Sequence, residues 1–360
     1  MRRTYDRSGT LAGVTSPFDD APAAIRALVP EAVGEWPDEG RAACGRCPMA
    51  ASGAPHPWGF AAETRCCTYH PAVPNFAVGR ALARDAATAT LIRRRLADRA
   101  GVSAAGIDPS PERDRLYQLG GVDTFGRDVG LRCPFWVGGE RSCGIWRDRP
   151  ATCRVWFCKH DDGLAAVVTW SELGTLMTEA EAQVAALLCT RGTPPTGAPG
   201  AVVDAATWEA WFAWCAAEVE RLGPDDLAAL TTPAMIDRRA ALQAMHGRPR
   251  RRLGPVLIAT IADWLRDGDR IWLTGYSTYD AVAAPPAVFA FLDRLDGETP
   301  WAAALAGARA ETGEAGLDDA LVAELHRVGA LSAPDGADDL PFTAMPVRGA
   351  GWSHEVVRPR

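Results

Sequence analysis

Eight of the ten cysteines in this chain fall between Cys44 and Cys158. That concentration, in a stretch broken by proline and glycine, calls for short elements held by ligand bonds rather than one long periodic core. The thiols come as Cys44-Gly45-Arg46-Cys47, the adjacent pair Cys66-Cys67, and four more in CPFWVGGERSCGIWRDRPATCRVWFC, which runs from Cys133 through Cys143 and Cys153 to Cys158. The first residues, MRRTYDRSGTLAGVTSPFDD, are charged and polar and lack the apolar core of a signal peptide, so a cytoplasmic setting is expected. In a reducing compartment, clustered thiols point to metal binding or redox chemistry, and disulfides are not needed to stabilise 360 residues.

A C-x-x-C turn lets two sulfurs converge on one ion while its amides stabilise thiolate charge, and Gly45 suits such a turn. Eight thiols suffice for two tetrahedral zinc sites or for one iron–sulfur cluster with four to spare. A mixed site in which His56, His70 or His160 replaces a sulfur is a further option. A thioredoxin-like dithiol ranks below these, because Pro48 and a Gly/Pro-rich loop follow Cys47 where that motif would open a helix. The radical-SAM spacing, a P-loop and a dinucleotide fingerprint are absent.

Around the last four thiols each neighbour has a physical reason. Pro150 fixes a turn that brings Cys153 back towards Cys143, and Arg149 and Arg154 offset the repulsion of adjacent thiolates. Trp136, Trp146, Trp156 and Phe157 exclude water, which tunes affinity and potential. Asp123, Asp128, Asp161 and Asp162 read as solvated loop carboxylates, and Cys189 and Cys215 as small buried hydrophobes.

The order C-x-x-C, CC, CPF, then C-x-I-W-x-x-R-P-x-x-C-R-x-W-x-C resembles the YkgJ-type cysteine-cluster family of zinc- or iron-chelating domains. The matching positions are Cys44, Cys47, Cys66, Cys67, Cys133, Cys143, Cys153 and Cys158, with Arg149, Pro150 and Arg154 completing the signature. The resemblance spans about a third of the chain and implies these eight as ligands of zinc or of an iron–sulfur cluster. One departure is the 18 residues between Cys47 and Cys66, longer than the family's usual spacing. A flagellin lysine methylase associated with an iron–sulfur cluster is similar in its cysteine region.

Outside the cysteine stretch, the expected class is α+β, mainly α. Residues 1–25 read as a loose leader, 26–160 as an irregular, metal-stabilised domain, 161–247 as a helical region, 248–340 as a small winged-helix-like domain and 341–360 as a tail. Apolar spacing predicts one helix over 78–99, with Arg93, Arg94 and Arg95 on a solvated face, and others over 170–189 and 208–222. Trp208, Trp211, Phe212, Cys215, Val219 and Leu222 share a face that is read as core. The arginines of RRAALQAMHGRPRRRLGP are read as an exposed hinge. Beyond it VLIATIADWLRDG is read as a helix, RIWLTGYSTYDAV as strands, and PAVFAFLDRLDGETPWAAALAGARAE and LDDALVAELHRVGAL as two helices. FLDRLDGETPWAAAL resembles the C-terminal half of PqqD-type winged-helix domains, which bind leader peptides.

No run approaches the ~20 apolar residues that would cross a bilayer, so no membrane partner is expected. The net charge of −7 argues against a nucleic-acid partner. The expectation is a metal-binding protein acting on or with a protein or peptide. The alternatives are an iron–sulfur-dependent protein-modifying enzyme, methylase-like or redox, and a structural zinc module of a DNA-associated regulator.

Overall fold

The computed structural model describes residues 17–29, 39, 47–50, 56–139, 141–195, 203–246 and 253–334. Among the described residues helix accounts for about 51% and strand for about 12%, so the class is mixed α+β and mainly α. No helix among the described residues is long and apolar enough to cross a membrane.

The first part is built from α1 (Ala23–Leu28), β1 (Val73–Pro74), α2 (Asn75–Arg84), α3 (Ala86–Asp98), β2 (Val102–Ser103) and β3 (Gly106–Ile107). After these come α4 (Pro111–Thr124), the hairpin β4 (Trp136–Val137) with β5 (Ser142–Cys143), and α5 (Ala151–Arg154). Four helices follow: α6 (Leu164–Arg191), α7 (Ala205–Val219), α8 (Pro224–Leu230) and α9 (Pro233–His246). One apolar core runs through both groups, from Phe18 and Ile25 to Phe135, Ile145, Trp170, Phe212 and Leu242. The cysteine loops are therefore laid on the helices, chiefly on α6, whose 28 residues span about 42 Å. Of residues 1–25, read as a loose leader, Phe18, Ala21, Ala24 and Ile25 belong to the same core, with Phe18 and Ile25 fully covered.

The helix expected over 78–99 is two helices. Asp85 adopts an extended conformation between them and caps the second, accepting from Thr88 N at 2.9 Å. Of the three arginines expected on the solvated face, Arg93 pairs with Glu209, whereas Arg95 turns inward and donates to Ala100 O at 2.8 Å. The aromatic stripe of α7 is core, as read: Trp211, Phe212, Cys215 and Val219 are buried. Helix α2 lies against α7 so closely that a Cβ on Gly79 would fall 1.8 Å from Phe212 O. Gly79→Ala is accordingly expected to cost about 1–3 kcal/mol by overpacking, visible as a lower urea midpoint.

The C-terminal unit comprises β6 (Val256–Ala259), β7 (Asp263–Asp267), β8 (Arg270–Thr274), β9 (Val282–Ala284), α10 (Val288–Leu292), β10 (Asp296–Pro300), α11 (Trp301–Thr312), α12 (Asp319–Arg327) and β11 (Leu331–Ser332). Its sheets run β7-β8-β9 and β10-β6-β11, all antiparallel, around a second core containing Leu257, Leu273, Phe291, Leu305 and Leu325. VLIATIADWLRDG, expected to be a helix, is two strands. The apolar spacing fits either period, and the turn at Asp267-Gly268-Asp269 decides it. Gly268 has φ +61°, and Asp267 pairs with Arg270 across a two-residue hairpin. DGETP, expected inside a helix, is β10.

Tyr276 to Asp280 bind this unit to the rest. The Tyr276 hydroxyl accepts from His160 N at 3.1 Å and donates to Asp280 Oδ2 at 2.5 Å. Arg327 donates to His160 O at 2.8 Å and to Asp280 Oδ2 at 2.7 Å, and Lys159 Nζ lies 3.7 Å from Asp280 Oδ1. Tyr279 enters a small third core with Phe60, Phe125 and Cys158.

Candidate metal centre

The site is assembled from four short pieces of chain. Cys66 and Cys67 lie on a turn that Thr64 and Thr68 tie to Gly126: Thr64 Oγ1 donates to its carbonyl and Thr68 Oγ1 accepts from its N–H, both at 2.8 Å. Cys133 N donates to Cys67 O at 2.7 Å, so the CPF turn is stitched to the pair. Cys143 faces Trp136 across the β4–β5 hairpin. Pro150, extended, opens α5, and Cys153 N donates to Pro150 O at 2.9 Å. The buried Glu181 of α6 receives Ala151 N on both carboxylate oxygens, at 3.1 and 2.9 Å, and so pins this turn to the long helix.

These pieces bring five thiols into one electrostatic neighbourhood. Cys66 donates to the Cys67 sulfur, which with burial raises its thiol far above the usual range. That bond lowers Cys67, but burial and the charges of Cys143, Cys133 and Cys153 outweigh it and raise it. Burial, then Cys143, raises both Cys133 and Cys153, and burial raises Cys143. Cys47 joins through Cys66. Cys158 lies in the small aromatic core against which Cys47 and Cys66 also pack, and Cys44 lies outside the described residues. Every described cysteine is a free thiol. Among the described residues no three His, Cys, Asp or Glu side chains stand at metal-holding positions, so the sulfurs share a neighbourhood rather than a finished coordination shell.

Arg149 is the counter-charge: its guanidinium lowers Cys66, Cys143 and Cys153. It is held by Trp146, stacking 3.4 Å from the ring centroid and donating to its carbonyl at 3.0 Å. Arg154, read from sequence in the same role, spends its nitrogens instead on the carbonyls of Arg149, Asp19 and Arg147, each at 2.6 Å. It ties the turn to the N-terminal segment. Trp136 is buried, Trp156 packs on Phe125, and Phe157 packs on Trp170. A cavity of about 410 Å³ opens beside the cluster, with Cys143, Trp146 and Arg147 in one wall and Arg84, Asp85 and Thr88 in another.

The three histidines have different surroundings. His160 Nδ1 lies 3.3 Å from Glu39 Oε1, a fully buried carboxylate that also accepts from Trp170 Nε1 at 2.5 Å and from Asp161 N at 2.7 Å. His56 Nδ1 accepts from Trp58 N, and its ring lies 4.9 Å from that of Trp272. His70 is buried with no partner on either nitrogen. Sequence reasoning missed Glu39 and Glu181. An acid-capable side chain in a Leu/Ala-rich helix carries no local signal that it will turn inward.

Two buried groups, His70 and Glu181, and the half-buried His56 bear on the response between pH 6.5 and 5. Burial, then Lys159, holds His56 down to about 4, and burial, then Arg95 and Arg113, holds His70 at about 3. Burial lifts Glu181 to about 7 against the Ala151 N–H and Arg154. Below pH 6.5 the unfolded chain protonates both histidines and the folded chain does not, so stability is lost as pH falls. Glu181 acts in the opposite sense. Its contribution is full below its unfolded value of 4.5 and is lost as pH rises through 7. Two groups outweigh one, so the urea midpoint is expected to fall from pH 6.5 to 5. Glu181→Gln should steepen that fall; an unchanged slope would show that the carboxyl does not titrate there.

The chain matches no family model, no curated protein and no solved structure.

Proposed function

We propose that this chain is a metal-binding protein that holds zinc or an iron–sulfur cluster on its clustered thiols and acts with a protein or peptide partner. The observation that carries this reading is the electrostatic neighbourhood of five unbridged thiols, four of them acting on Cys67, with Cys133 buried, the others half-buried and the Arg149 guanidinium set against three. Ionised alone, such thiols repel one another; a soft cation among them removes that repulsion. Thiol-only donors suit zinc and iron–sulfur clusters equally. Cys66, Cys67, Cys133, Cys143 and Cys153 are the central ligands in this reading, and Cys47, Cys158 and Cys44 complete the set. A zinc ion there supplies structure, and a cluster supplies electrons. The residue pattern shared with the YkgJ-type family supports the same assignment.

The C-terminal unit is read as winged-helix-like and as the partner-binding part. Its β7 lies at a sheet edge and carries Trp264 and Leu265, 42% and 40% exposed, where an extended peptide can add a strand. The cavity beside Cys143 favours a second reading, a cluster-dependent modifying enzyme, because its volume is that of a small-molecule cleft.

Anaerobic purification with metal and sulfide analysis decides between the metals. Brown protein containing iron and acid-labile sulfide assigns a cluster, and colourless protein with stoichiometric zinc assigns a zinc site. Protein free of both, with all thiols open to titration and no uptake on reconstitution, overturns the reading.

A further inference from the structure

Three basic side chains outside the cysteine motif meet behind Cys133. His70 follows the Cys66-Cys67 pair by three residues, Arg95 comes from the last turn of α3, and Arg113 from the first turn of α4. His70 is only 4% exposed, and neither of its ring nitrogens has a hydrogen-bond partner. The Nε atoms of Arg95 and Arg113 are likewise buried without a partner. Their outer nitrogens are anchored. Arg95 donates to Ala100 O at 2.8 Å, and Arg113 donates to Arg132 O at 2.6 Å and to Leu131 O.

Those last two carbonyls belong to the residues just before Cys133, and the His70 ring stands edge-on to Phe135, two residues after it, at 5.7 Å. Both arginines are within electrostatic reach of Cys133 and of His70. Asp98 also faces Arg95, and Asp128 faces Arg113, although the Asp128 carboxylate already accepts from Gly130 N at 2.7 Å. Buried donors without acceptors are rare and require a reason. The one cysteine whose charge acts on both arginines is Cys133. As a thiol it takes up little of their charge; a thiolate there would balance both guanidinium groups, with the unpartnered His70 ring packed on Phe135 two residues away.

Resting on the metal-binding reading above, we propose that His70, Arg95 and Arg113 are positioning residues of the metal centre: the two arginines supply positive charge, and the neutral His70 an N–H donor, to Cys133 when it ligates as a thiolate. The loaded centre is then an anionic metal–thiolate assembly held in a cradle, balanced by Arg149 against Cys66, Cys143 and Cys153 and by Arg95 and Arg113 against Cys133, with His70 as a neutral donor.

The test uses the reduced full-length chain titrated anaerobically with Cd²⁺, followed by sulfur-to-metal charge-transfer absorption, with iodoacetamide labelling of Cys133 read by mass spectrometry. Expected is saturable binding that shields Cys133. Arg113→Gln and His70→Phe should weaken it roughly tenfold to a hundredfold, as loss of a partner beyond the ligands does, and expose Cys133 to label. Arg113→Lys, which keeps the charge, should retain most of the affinity. Should Arg113→Gln fail to fold by circular dichroism, Arg95→Gln, which forfeits one carbonyl bond, decides in its place. Variants that bind and shield as the parent does overturn the cradle and leave the metal reading standing. A parent chain that binds no Cd²⁺ overturns both. Inorganic phosphate that binds the parent but not the variants, with Cd²⁺ affinity unchanged, makes the cradle an oxyanion site and overturns the Cys133 assignment.

Discussion

On the proposed metal-binding reading, Cys153→Ala is expected to abolish metal uptake while leaving the apoprotein folded. The residue sits at the end of a four-residue helix whose position is fixed twice over, by Pro150 at its start and by Glu181 receiving Ala151 N. Its sulfur is in electrostatic contact with Cys143 and Cys66, and Arg149 is set against all three. On that reading, removing it deletes one thiolate ligand and leaves the remaining donors one short. Affinity should fall by more than the roughly tenfold to hundredfold loss typical of a partner beyond the ligands. Metal per chain by mass spectrometry, and the shift in melting temperature on adding chelator, measure the two halves of the claim. The parent should lose stability with chelator, because binding free energy is folding free energy at such a site, and the variant should not respond. Cys215→Ala is the control: fully buried in the helical core, its thiol packs without ligating, and the variant should keep its metal at about 1 kcal/mol of lost stability. Full metal content in Cys153→Ala would remove Cys153 from the ligand set.

The largest expected loss of stability is at the junction between the two units. Asp280 is 1% exposed and takes Arg327 and the Tyr276 hydroxyl on one oxygen, with Lys159 near the other. Burial alone would raise its carboxyl, but the bond from Arg327, supported by Tyr276 and Lys159, holds it below the usual range. Asp280→Ala leaves two cations facing each other across a buried gap and should cost about 3–5 kcal/mol, the penalty of breaking a buried ionic network by removing one partner. Because Tyr279 follows the same backbone into the aromatic core beside Cys158, the damage should extend to the cysteine face. A lower urea midpoint and faster alkylation of Cys158 are the readouts. Unchanged alkylation would mean that the C-terminal unit does not hold the cysteine region in place.

Much of this arrangement was legible along the chain because the signals are local. Thiol spacing, the proline that opens α5, the aromatic positions of α7 and the mainly helical class each depend on neighbours within a few residues. Where two local readings competed, the weaker signal decided. Periodicity allowed a helix for VLIATIADWLRDG, and a glycine with positive φ two residues before the next strand made it a hairpin. The single helix expected over 78–99 broke at Asp85 for the same kind of reason, a capping side chain outweighing apolar spacing.

What the sequence determined by itself is the chemical inventory: which thiols and arginines are available and where short turns replace long elements. Which charges stand beside those thiols was decided by the tertiary structure alone. Arg149 and Arg154 are five residues apart and look alike in sequence, yet one stacks on Trp146 and meets the sulfurs while the other is spent on three carbonyls. Arg95 sits in a run of three arginines, and only its helix's packing turns it towards Cys133. The reason is physical. A side chain's charge is local, but its burial and its partners depend on residues brought from far along the chain, and those set whether a thiol is a buried hydrophobe or a ligand.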